Sequence, residues 1–116
     1  MDGERGASLK LRLDRAWGLL TRAEMRMATG KYQTAMDDLV RALQIDPDFT
    51  EALVTRGYLR YMQEDYPGAL IDLETAGIHA QGNEEVVTYL DKLKARVPGG
   101  EMKTPLYDKT LEGRTQ

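Results

Sequence analysis

Two stretches decide the fold: GKYQTAMDDLVRALQIDP at residues 30–47 and RGYLRYMQEDYPGALIDLETA at 56–76. Sliding the chain against itself by 34 residues superposes them in one register. Thr21, Arg22 and Arg26 meet Thr55, Arg56 and Arg60, and Tyr32 and Ala35 meet Tyr66 and Ala69. Asp38, Leu39 and Ala42 meet Asp72, Leu73 and Ala76. Ala23 against Gly57 and Met36 against Leu70 are conservative pairs. These eight identities among 34 positions exceed the roughly two that composition supplies, at the period of a helix–turn–helix repeat.

The chemistry of these positions points to paired helices. Alanine or glycine at a recurring contact lets two helix axes approach to about 8–10 Å. Gly30-Lys31 and Glu64-Asp65 break the chain before each repeated Tyr, giving short turns. Asp46-Pro47 ends a helix, because proline pushes the preceding residue out of the helical region. Pro67 suits a first helical turn, where its missing N–H costs little. The pattern predicts helices at 8–29, 33–45, 50–63, 67–79 and 84–96. The last carries Val86, Val87, Leu90 and Leu93 on one stripe with Val97, as a capping helix would.

With these residues in view, the chain resembles the tetratricopeptide family. The family's late proline falls on Pro47, which frames units 16–49 and 50–83 and a cap at 84–97. Its small residues fall on Ala23 and Gly57, Ala35 and Ala69, Ala42 and Ala76, and its turn aromatic on Tyr32 and Tyr66. Arg22 and Arg56 depart from it, standing where leucine is common, and the second unit ends in Ala80-Gln81-Gly82 where the family has Asp-Pro. The resemblance implies an all-α fold, a right-handed superhelix of antiparallel helical hairpins with about five helices. Residues 1–15 form an N-terminal segment running into the first helix, with 1–7 expected to be mobile. Residues 98–116 are expected to form an extended tail, with Leu106, Tyr107 and Leu111 as apolar anchors against a surface.

Composition narrows the function. The 116 residues suit one domain, and with no cysteine there is no disulfide, thiol nucleophile or Cys-based zinc site. The opening MDGERGASLKLRLDR has no long apolar core, and no run approaches the roughly 20 residues of a membrane helix. A cytoplasmic protein with no membrane span is the expectation. Charge is uneven: seven basic and four acidic residues over 1–31, three basic and eleven acidic over 37–85, six basic and four acidic over 91–116. An acidic middle argues against a nucleic-acid partner and is most simply a solvated helix surface.

Catalytic motifs are missing. His79 is the single histidine, with no companion at triad or metal spacing. No glycine stands five residues before Gly30, so Gly30-Lys31 is no phosphate loop. Asp46, Asp48 and Glu51 lack a calcium-loop glycine and read as helix caps, and Glu84-Glu85 as a first-turn acidic pair. The expectation is no enzyme, no metal and no cofactor.

Family resemblance places a concave face on the first helix of each unit. The matching positions are Trp17, Leu20, Glu24, Met27, Val54, Tyr58, Tyr61, Met62, Lys92 and Arg96. Trp and Tyr give large contact area at low entropic cost, and Met adapts to irregular surfaces. An apolar groove for a peptide or helix of another protein follows, for an adaptor, scaffold, chaperone-like assembly factor or small subunit. Packing of Trp17 and Met27 on Tyr58 and Tyr61 to hold the hairpins together is the plainer account of the same residues. Self-association as a homo-oligomer through the groove is the alternative, with an accessory ligand-binding or enzymatic role behind it. The family's clamp for a C-terminal carboxylate is absent, because its positions hold Leu20, Glu24, Thr55, Glu85 and Tyr89.

Overall fold

The computed structural model describes residues 2–100, with side chains from Ser8 onward. Among these residues there are five helices and no strand: α1 (Asp2–Ala28), α2 (Tyr32–Ile45), α3 (Thr50–Met62), α4 (Tyr66–His79) and α5 (Glu84–Arg96). The tail anchors Leu106, Tyr107 and Leu111 lie outside the described residues. Helices α1 and α2 pack most extensively on each other, as do α3 and α4. Each pair is an antiparallel hairpin closed by a three-residue turn. Contacts of α2 with α3 and of α4 with α5 join the hairpins in series.

Every expected helix forms within two residues of its expected ends, except the start of α1. That helix begins at Asp2, so residues 2–7 extend it instead of forming a separate leader. Once a helix is nucleated, each added residue gains a hydrogen bond for two fixed torsions, which carries the helix through Gly3 and Gly6.

The turns repeat as the sequence does. Gly30 closes the first with φ of 80°, and Glu64 closes the second with φ of 63°. In both, the amide three residues beyond the helix returns to it, Lys31 N to Arg26 O and Asp65 N to Arg60 O, each at 2.8 Å. Glycine takes a positive φ freely, whereas glutamate pays about 1 kcal/mol. Glu64→Gly is therefore expected to stabilise the chain by about 1 kcal/mol, seen as a higher urea midpoint at unchanged slope.

Small residues set the hairpin spacing. Ala23, Ala35, Ala42, Ala69 and Ala76 are fully buried. Gly57 faces α4 so closely that an added Cβ would stand 3.2 Å from the Leu73 side chain and 3.3 Å from the Ala69 carbonyl oxygen. Leu39, Leu59, Leu73 and Leu90 fill the layers between. Leu90 and Val97 bury the cap against this core, with Val86, Val87 and Leu93 packed beside them. Among the described residues α5 is the last helix, and one of its faces is polar. Buried Ala16, Leu20 and Ala23 of α1 correspond, two repeats on, to Glu84, Thr88 and Asp91, all exposed and polar.

The arginines that depart from the family pattern have a structural partner. Arg22 grips buried Asp38 through two parallel bonds, Nε to Oδ2 at 3.0 Å and Nη2 to Oδ1 at 2.7 Å. Arg26 adds a third from Nη1 to Oδ2 at 2.9 Å. The second hairpin repeats the set: Arg56 to Asp72 at 2.9 Å twice, and Arg60 to Asp72 at 3.0 Å. Each Asp thus ties the outward face of its hairpin's first helix to the second. The bond from Arg22 holds the Asp38 carboxyl below its ordinary value, outweighing burial, which pushes it up. An unfolded chain therefore binds the Asp38 proton more tightly than the folded one. This contribution is complete at neutral pH and is lost as pH falls below about 4. In Asp38→Asn the fall in stability between about pH 5 and pH 2 is expected to be shallower than in the parent, measured by urea unfolding at each pH.

Candidate functional site

The first helices of the two hairpins and the cap face one another across a groove. A hollow of about 440 Å³ is lined by Glu24 from α1, by Val54, Thr55 and Tyr58 from α3, and by Tyr89, Lys92, Leu93 and Arg96 from α5. It continues into a second hollow of about 200 Å³ that shares Tyr58, Leu93 and Arg96 and adds Gly57, Tyr61, Leu73 and Val97. Helices α3 and α5 start 34 residues apart, at 50 and 84, and Glu24, Tyr58 and Lys92 stand 34 apart on α1, α3 and α5, so one register lines one surface.

Six of the ten residues expected in the groove line it: Glu24, Val54, Tyr58, Tyr61, Lys92 and Arg96. Tyr58 is 49% exposed. Tyr61 is half-buried between Tyr58, at 6.4 Å between ring centroids, and Tyr66, at 6.0 Å. Lys92 and Arg96 form one wall and face Glu24 on the other, so the groove is apolar along its floor and oppositely charged at its sides.

The other four go elsewhere. Leu20 is 3% exposed and belongs to the core, because its position on α1 turns it towards the interior. Met27 packs half-buried on the same core. Met62 is exposed but lines neither hollow. Trp17 stacks on Phe49, with ring centroids 4.7 Å apart and planes at 60°. Phe49 is buried where the two hairpins join, so Trp17 does hold them together, through Phe49 and not through the tyrosines.

Thr55, Tyr89 and Leu93 line the groove without having been expected there. Tyr89 and Leu93 lie one turn apart on α5 beside Lys92, so the helical period that places Lys92 also brings its neighbours into reach.

The acidic loop before α3 also differs from expectation. Asp46 accepts the Asp48 amide at 3.1 Å and closes the loop, while Phe49 stands at the N-cap position with no side-chain cap. Asp48 lies 3.3 Å from His79 Nε2, an exposed contact across to α4. Asn83 caps α5 by accepting the Val86 amide at 3.3 Å, and Glu84 and Glu85 sit in its first turn. Among the described residues no group of three or more His, Asp or Glu side chains is placed to hold a metal ion. None of the described helices is long and apolar enough to cross a membrane.

No family model matches the chain, and no curated protein matches it.

Proposed function

We propose that this chain is a tetratricopeptide-type module of two repeats and a cap, stacked as a right-handed superhelix, and that it binds a segment of another protein. The site is the groove between α1, α3 and α5. The observation that carries the reading is that one 34-residue register, on the alternate helices α1, α3 and α5, lines a hollow that includes an exposed tyrosine. Aromatic side chains in such a position supply the anchoring contacts of protein interfaces. The mixed walls orient a bound segment, since its cationic end is drawn to Glu24 and its anionic end to Lys92 and Arg96. An adaptor or small subunit of a cytoplasmic assembly suits a chain without cysteine. The role proposed is binding rather than catalysis.

Capture from a lysate of the native cells tests the reading. Tyr58→Ala is expected to retain the partner at least about tenfold less well than the parent, with an unchanged urea midpoint, because its ring is half in solvent. Tyr61→Ala lowers both, because that ring also packs on Tyr66. Normal capture by Tyr58→Ala would rule the groove out. A concentration-dependent dimer in sedimentation, dissolved by Tyr58→Ala, would make a second copy the occupant.

A further inference from the structure

The face of α1 that packs into the bundle does not stop where the bundle stops. Ala16, Leu20 and Ala23 are buried, and Met27 is packed on the core behind them. Their spacing alternates four and three, the heptad pattern of a helix–helix seam. Carried towards the N-terminus, the same spacing reaches Leu13 and Leu9, which are 37% and 50% exposed. Trp17, itself 50% exposed, borders this stretch. The positions flanking the exposed heptad are Lys10 and Arg12, with Arg15 further round and Asp14 the one carboxylate between residues 8 and 15. Asp14 is engaged by Lys10 at 3.0 Å. Among the described residues Arg12 and Arg15 have no ion-pair partner.

We propose that the N-terminal part of α1 is a docking seam for an amphipathic helix of another protein. Apolar side chains of that helix pack on Leu9 and Leu13, and its carboxylates face Lys10 and Arg12. Continuity sets the shape of the occupant: α2 covers this same face of α1 from Ala16 inward, and a second helix extends that packing outward. Charge sets its chemistry. A second copy of the chain would oppose Lys10 and Arg12 with the same cations, and flanking like charges disfavour a pairing. A membrane surface needs a broad apolar face, whereas this is a narrow seam with Leu11 on the opposite side of the helix.

The test uses the full chain and a synthetic peptide of three heptads, with leucine at the seam positions and glutamate at the flanking ones. Trp17 is the only tryptophan, so its emission reports binding at the seam. The glutamate peptide is expected to shift that emission with an affinity that weakens as salt rises. A peptide with lysine at the flanking positions is expected to bind at least about tenfold more weakly. Leu9→Glu with Leu13→Glu should reduce binding of the glutamate peptide by about tenfold or more, with an unchanged urea midpoint. Leu9→Ser with Leu13→Ser serves if the glutamates disturb the helix. Tyr58→Ala should leave this binding intact, which separates the seam from the groove. The proposal is overturned by no binding, by equal binding of the two peptides, or by indifference to both seam variants. A seam-dependent dimer in sedimentation, or binding only to phosphatidylglycerol vesicles, would overturn it equally.

Discussion

Replacing Asp72 with alanine is expected to destabilise the chain by about 3 kcal/mol. Asp72 is 1% exposed, and its carboxylate accepts three charge-assisted bonds from Arg56 and Arg60. Removing it leaves Arg56 at the edge of the core with no counter-charge and Arg60 with only Asp65, 3.8 Å away. Breaking a fully buried pair costs about 3–5 kcal/mol, and here both arginines keep some water, which holds the loss to the lower end. The cost is in the uncompensated charge and not in the net worth of the bonds. Arg56→Met and Arg60→Met combined with Asp72→Leu should therefore recover most of the loss. Asp38→Ala should cost less than Asp72→Ala, because Arg22 is about half exposed while Arg56 is mostly buried. Urea unfolding of the three variants and the parent checks the series. Equal stability of Asp72→Ala and the parent would mean that the set contributes nothing.

Enlarging Ala69 to leucine is expected to cost about 1–3 kcal/mol, the range for overpacking a filled core. Ala69 is fully buried on α4, and its carbonyl oxygen lies 3.3 Å from where a Cβ would stand on Gly57. The two helices touch there through backbone, so no flexible side chain can move aside. The expected result is a lower thermal midpoint with the helical circular-dichroism spectrum retained. A neutral substitution would place the crossing of α3 and α4 elsewhere.

Much of this architecture is legible in the residues. The 34-residue period, the paired small residues, the Asp46-Pro47 stop and the apolar stripe of the cap depend on neighbours within a few turns. Such signals are local, so helix positions and the identity of the hairpins come directly from them. The groove is partly legible through the family resemblance, which assigns its concave face to set positions of each unit. Glu24, Val54, Tyr58, Tyr61, Lys92 and Arg96 fall where that logic puts them. Leu20 does not, because one residue's rotation about a helix axis decides between core and surface, and the period alone leaves that choice to the packing partner.

The charged triads show the division most clearly. All their members stand among the repeated identities, Arg22 with Arg56, Arg26 with Arg60 and Asp38 with Asp72. What the sequence by itself determined is that these residues recur in step with the helices, and that two hairpins and a cap must form. Only the tertiary structure decided that an arginine meets an aspartate 16 residues away, since that pairing depends on how far α2 slides along α1. It likewise decided that Trp17 rests on Phe49 and that Leu9 and Leu13 run past the end of the bundle. The physical reason is range: helices follow from contacts three and four residues apart, whereas seams, triads and grooves follow from where the helices come to rest against one another.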